Sequence, residues 1–146
     1  TGLSLLTLIQ FISINNGYFK GPEQVSFEAA KSYCLDHGTS LASIPTEIQY
    51  NDAVDAADGS EVWIGLQDEV DGDGDMFWSW TDGTPIASNY GFNSDRTATT
   101  GQGPWHSGEP NEHLGNNEDC VEIYTTGGYN DIPCNDNNYP LCNDGM

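Results

Sequence analysis

WHSGEPNEHLGNNEDCVEIYTTGGYNDIPC, from Trp105 to Cys134, is the stretch that decides the fold. It carries Glu109, Glu112, Glu118, Asp119, Glu122 and Asp131, interleaved with Asn111, Asn116, Asn117 and Asn130, and it contains no Lys or Arg. Carboxylate and amide oxygens in irregular loops are what a hard cation with about six to eight oxygen ligands requires. No Cys or His converges with them as a soft site would demand, so the expected ion is Ca2+. Within the stretch, Cys120 to Tyr124 alternates like a strand.

A second acidic group lies upstream: Asp68, Glu69, Asp71, Asp73, Asp75 and Asp82. Asp71-Gly72-Asp73-Gly74-Asp75 invites an EF-hand reading with Asp82 at the last ligand position. Met76 would then occupy the place that needs Gly, and Phe77 to Thr81 reads as a strand, so the EF-hand is rejected and an acidic loop is kept. A solvated acidic surface is the rival explanation. Two dense groups with almost no cations nearby favour metal over it.

The rest of the chain agrees with a folded, loop-rich, extracellular body. Its 146 residues suffice for one domain. Hydrophobic residues make up 36% and charged ones 18%, both low, yet Trp63, Trp78, Trp80 and Trp105 argue against disorder. The formal charge is −20, with no Lys or Arg after Arg96. Nucleic acid and anionic membrane are poor partners for such a chain, because each phosphate contact needs a cation, and neither nucleic-acid binding nor membrane insertion is expected. Nothing reaches the ~20 apolar residues of a membrane span. Cys34, Cys120, Cys134 and Cys142 are even in number and contain no CxxC. That pattern points to two disulfides in a secreted or cell-surface protein and leaves three connectivities open. Leu3 to Ile14 is apolar but short, with no basic residues before it, so no complete signal peptide is visible. A start at Thr1 instead of Met is expected from processing or truncation.

Leu3 to Ile14 has Leu and Ile on both alternating faces and reads as a strand buried on two sides. Tyr18 and Phe19 resume an extended segment up to Gly21-Pro22. Ser26 caps a first expected helix with Phe27, Ala30, Tyr33 and Cys34 on one face and Gly38 as its stop. Thr46 and Gln49 have capping-box spacing for a second, with Gly59 beyond its end. Leu41 to Ile44 is a connector. Val62 to Leu66, Met76 to Thr81 and Tyr139 to Cys142 read as short strands. Pro85 to Pro104 has no periodicity and reads as a long loop. Helices grouped together and not alternating with strands give an α+β class.

Enzyme signatures are nearly empty. His37, His106 and His113 fall in no HExxH, and there is no GxSxG or GxxxxGK[ST]. His37 beside Gly38 reads as a helix-end residue. The chain is expected to bind and not to catalyse.

Trp63-Ile64-Gly65-Leu66, Asp82-Gly83-Thr84-Pro85, Glu109-Pro110-Asn111, Asn117-Glu118-Asp119-Cys120 and Tyr129-Asn130-Asp131-Ile132-Pro133-Cys134 together resemble the C-type lectin domain. Tyr18-Phe19, Ser26 to Ala30 with Cys34, and Leu41 to Ile44 resemble that family's first strand and two helices. The likeness runs from Tyr18 to Cys142. It implies a short-form domain over residues 18–146, with residues 1–17 as an apolar extension and 86–104 as a loop insertion. It also implies the pairs Cys34–Cys142 and Cys120–Cys134, each worth roughly 2–4 kcal/mol.

The resemblance further implies a principal Ca2+ site of Glu109, Asn111, Glu118, Asn130 and Asp131. Two vicinal sugar hydroxyls would complete its shell, donating to Glu109 or Glu118 and accepting from Asn111 or Asn130. Pro110 is expected cis, so that residues 109 and 111 point at one ion. In the family, EPN goes with mannose, fucose and glucose-type ligands and QPD with galactose. A second Ca2+ site would use Asp68, Glu112, Glu118 and Asp119, with Asp71 or Asp73. Tyr129 stands where the family usually has Trp, and its hydroxyl needs a partner. The rival function is a structural subunit of an extracellular filament or surface layer, self-associating through residues 3–14 while Ca2+ adds stability.

Overall fold

The computed structural model describes residues 17–70, 76–111 and 118–144. The expected strand from Leu3 to Ile14 lies outside them, as do Asp71, Asp73, Asp75 and Glu112. The chain runs β1 (Tyr18–Lys20), α1 (Phe27–Asp36), α2 (Glu47–Ala57), β2 (Val62–Val70), β3 (Met76–Trp80), β4 (Cys120–Ile123), β5 (Tyr129–Ile132) and β6 (Tyr139–Asn143).

Local chemistry sets both helices. Ser26 accepts from the Ala29 N–H at the start of α1, and Phe27, Ala30 and Cys34 form its buried face. His37 ends it, and Gly38 follows at φ +76. Thr46 accepts from the Gln49 N–H to cap α2. Its hydroxyl also donates to Gln49 Oε1 at 2.9 Å, so the capping box closes side chain to side chain. The left-handed residue that stops α2 is Asp58, at φ 51, one place before Gly59.

The strands form one sheet in the order β1-β6-β2-β4-β5, with β3 paired to β2. Among these named strands of the described residues, β2–β6 is the parallel pairing and the others are antiparallel. Trp63 packs on the α1 side with Phe27, Leu41 and the cystines, and its Nε1 donates to the Val25 carbonyl at 2.7 Å. Val62, Ile64 and Leu66 alternate onto the other side, with Ala53 and Ala57 of α2 and with Trp78, Trp105 and Tyr129. Cys34–Cys142 ties α1 to β6, and Cys120–Cys134 ties β4 to the turn after β5. These are the two pairs that the resemblance implies, and the architecture is the expected α+β.

Three features depart from the sequence reading. β2 continues past Leu66 to Val70, so Asp68 and Glu69 stand in a strand and not in an acidic loop. The apolar alternation stops at Leu66, but ladder pairing with β3 carries the strand on from Leu66↔Trp80 to Val70↔Met76. β5 carries no strand signal of its own, because Asn and Asp are poor strand formers. It is held by four register pairs with β4, from Cys120↔Ile132 to Ile123↔Tyr129. The loop between Pro85 and Pro104 has no named strand, as expected, yet it is pinned. Phe92 is buried in the core, Phe92 and Ala98 form an isolated bridge, and the Trp78 N–H donates to the Arg96 carbonyl.

Candidate functional site

Trp105 seats the acidic turn. Its indole packs against Trp78 and Tyr129, with ring centroids 5.3 and 5.5 Å away, and its Nε1 donates to the Gly91 carbonyl at 2.8 Å. The Tyr129 N–H donates to the Pro104 carbonyl and the His106 N–H to the Tyr129 carbonyl, at 2.7 and 3.0 Å. This lays the turn from Trp105 to Asn111 alongside β5. The Glu109–Pro110 peptide within it is cis.

Three of the expected residues meet directly. The Asn111 backbone N–H donates to Asp131 Oδ1 at 3.0 Å, and Asn111 Nδ2 donates to Glu109 Oε1 at 2.6 Å. Glu109 Oε2 is buried with no hydrogen-bond partner. Burial first, then the adjoining Asp131 and the nearby Glu118, push the Glu109 carboxyl up to about 7. Two adjacent carboxylates are both acceptors, so their contact requires a shared proton or a cation between them. The chain's three Lys and Arg side chains are engaged elsewhere: Lys20 donates to Ser60, Lys31 faces Glu28 and Arg96 faces Glu69. Glu109, Glu118, Asn130 and Asp131 are buried, whereas Asn111 is exposed at the rim.

Asn130 is turned differently. Its Nδ2 donates to Glu122 Oε1 at 3.0 Å, and Asn138 Nδ2 donates to Glu122 Oε2 at 2.7 Å. Burial raises the Glu122 pKa, while those two amides oppose the shift. The sequence reading left Glu122 out of the ligand set. The available signal was a lone carboxylate between Val121 and Ile123 in a strand pattern.

Of the second expected group, the Asp68 N–H donates to the Asp119 carbonyl at 2.9 Å, which joins the end of the β2 hairpin to the entry of β4. Burial raises the Asp119 pKa. Glu112 lies outside the described residues. Among the described residues, no three His, Cys, Asp or Glu side chains are gathered closely enough to hold a metal ion. The cluster at Glu109 mixes carboxylates with amides, and Asn111 already occupies one Glu109 oxygen. The donor chemistry nonetheless fits a hard cation: an orphaned buried carboxylate oxygen stands beside a second carboxylate, with the Asn111 side-chain amide adjacent.

The sequence model described as the Lectin C-type domain matches residues 23–144. The chain belongs to the C-type lectin domain family. This C-type lectin domain is 31% identical to the hepatic lectin of Gallus gallus over 125 residues, covering 86% of the chain and 53% of that protein. It thus spans about half the length of that relative. Its fold matches a mouse scavenger receptor C-type lectin carbohydrate-recognition domain at TM-score 0.66 and 27% identity, over 87% and 86% of the two chains. A cow CD23 carbohydrate-recognition domain, solved in the presence of a GlcNAc2Man3 oligosaccharide, matches at 0.66 and 25%, over 87% and 85%. The same fold is shared with a calcium-independent type II antifreeze protein, at TM-score 0.64 and 24% identity, over 87% and 84%. Among the described residues, no helix of this lectin domain is long and apolar enough to cross a membrane.

Proposed function

We propose that this domain is an extracellular, calcium-dependent carbohydrate-binding module for mannose-, fucose- or glucose-type sugars, with no catalytic role. The observation that carries the reading is the buried, unpartnered Glu109 Oε2 beside Asp131, in a cluster of carboxylates and amides away from the chain's cations. Glu109, Asn111, Glu118, Asn130 and Asp131 would hold the ion, with Asp68, Glu112 and Asp119 as ligands of a second. A bound Ca2+ supplies positive charge that accepts lone pairs from two neighbouring sugar hydroxyls. Glu109 and Glu118 accept the hydroxyl protons, and the Asn111 and Asn130 amides donate to the hydroxyl oxygens. The Pro110 turn fixes which side of the hydroxyl pair meets an acceptor and which meets a donor. The fold's presence in a calcium-independent neighbour makes the metal a property to be tested on these residues and not on the fold.

A glycan array probed with Ca2+ and with chelator is the direct test. Mannose-type binding that disappears on chelation is the expected result. Binding indifferent to chelator, or none with Ca2+ present, overturns the reading. Self-association through residues 3–14 is a separate proposal, tested by light scattering of the chain with and without them.

A further inference from the structure

We propose that Glu122 is a positioning residue that fixes the orientation of the Asn130 amide, a ligand in the site proposed around the Glu109–Asp131 cluster. The inference rests on the reading of that cluster as a calcium and sugar site. Glu122 and Asn130 are direct partners in the β4–β5 register. Glu122 is buried, 4% exposed, and each of its carboxylate oxygens takes one amide: Oε1 from Asn130 at 3.0 Å and Oε2 from Asn138 at 2.7 Å.

Burial and the neighbouring Glu61 carboxyl raise the Glu122 pKa, and in the ionised form that receives the two amides Glu122 only accepts hydrogen bonds. An amide beside it must therefore present its NH2 and turn its carbonyl oxygen elsewhere. The two ends of an asparagine amide are nearly equal in size, so packing alone scarcely distinguishes them. Glu122 supplies the distinction chemically. Its other oxygen is anchored to a rigid point, because Asn138 exchanges two backbone hydrogen bonds with Val25, both at 2.9 Å. The Asn130 carbonyl oxygen is thereby left for a cation, and the second N–H of its NH2 is left for a ligand hydroxyl. A glutamine at 122 would fill the same space at lower desolvation cost. It would lose the acceptor-only character, and Asn130 could then take either orientation.

The test uses the whole chain with Ca2+ alone as the probe. Glu122→Gln should weaken Ca2+ affinity by calorimetry about tenfold, the lower end for losing a residue that orients a metal ligand. Its unfolding midpoint in chelator should stay near that of the wild type. Adding Asn138→Asp should restore affinity to within about threefold. The new carboxylate takes the N–H end of the introduced glutamine and turns its oxygen back to Asn130, a rescue that a merely structural role would not show. In metal-free protein, the Asn130 side-chain NH2 pair should give one strongly shifted, slowly exchanging proton by NMR in the wild type and not in Glu122→Gln.

A Glu122→Gln protein that binds Ca2+ as tightly as the wild type overturns the positioning role and leaves the site reading intact. A wild type that binds no Ca2+ overturns the site reading itself. Should the single variant not fold, the wild-type spectrum decides: an Asn130 NH2 pair at unstructured shifts with fast exchange overturns the proposal.

Discussion

Asn111 closes back on Glu109, donating from its side-chain amide across 2.6 Å while its backbone N–H holds Asp131 at 3.0 Å. The two residues flanking Pro110 are thus coupled to each other. Exchanging them, Glu109→Gln with Asn111→Asp, keeps one carboxylate and one amide on that turn while reversing the order of acceptor and donor. Ca2+ binding should largely survive. Mannose-type preference should fall by about 1–3 kcal/mol, the cost of leaving a polar group unpaired against the old sugar. Competition assays with mannose- and galactose-type ligands read this. A double variant that keeps both Ca2+ and mannose preference would mean the sugar is not seated on this turn.

The acidic cluster should make stability depend on pH with a sign that Ca2+ reverses. Glu109 is raised from 4.5 to about 7 by burial, Asp131 and Glu118, so the folded chain binds that proton more tightly than the unfolded chain does. Its contribution to stability is present below the unfolded value near 4.5 and is lost as pH rises towards 7. Burial raises Glu122 and Asp119 in the same direction. In chelator, the unfolding midpoint should be higher at pH 5.5 than at pH 7.5. With Ca2+ the order should invert, because ligation requires the ionised groups. A hundredfold excess over Kd would add about 2.7 kcal/mol at the higher pH. Identical midpoints with and without Ca2+ at pH 7.5 would refute the metal.

Two tyrosines should respond oppositely to loss of their hydroxyls. The Tyr129 hydroxyl is buried with no partner, whereas the Tyr50 hydroxyl accepts from the Gly128 N–H at 2.7 Å. Tyr129→Phe should stabilise by about 1 kcal/mol, a rise of roughly 2–4 °C in Tm. Tyr50→Phe should destabilise by about 1–2 kcal/mol, since it strands a backbone donor. Calorimetric scans of both variants check the contrast.

Gly65, inside the Trp63–Leu66 strand, has no room for a methyl group. A Cβ there would lie 2.8 Å from the Leu41 carbonyl oxygen and 2.8 Å from Thr81 Oγ1. The Leu41 oxygen is backbone in a buried connector and cannot swing aside. Gly65→Ala should cost about 1–3 kcal/mol, the usual range for overpacking. Denaturant unfolding would show it as a lowered midpoint.

Where chemistry is local, the sequence was easily read. Ser26 and Thr46 announce their helices because capping needs only residues three apart. Trp63 to Leu66 reads as a strand because both of its faces are apolar. The Glu109, Asn111 and Asp131 convergence became legible through the family likeness, since Asp131 lies 20 or more residues away and is brought in by the edge-to-face packing of Trp105 on Tyr129. β5 was hidden because Asn130 and Asp131 disfavour strands and β4 imposes the pairing. The outer half of β2 was hidden for the same reason, as Asp68 and Glu69 break the apolar pattern while β3 supplies the ladder. Glu122 was counted as one more acidic residue, because nothing in a linear reading shows that its two oxygens are each taken by a buried amide.

The crossing of Arg96 over Trp78 has a consequence for solubility. Among the described residues β3 pairs only with β2, so its far side is an open edge, the kind of surface that recruits strands from other molecules. The Trp78 N–H on that edge is taken by the Arg96 carbonyl, and the Arg96 guanidinium lies 4.7 Å from the centre of the Phe77 ring. The long loop therefore shields the hairpin with the chain's own backbone and one of its few cations. Shortening the loop to a bare connector would uncover this edge, and would also take Phe92 out of the core and the Gly91 carbonyl away from Trp105. Association through the bared edge is then expected together with a loss of stability.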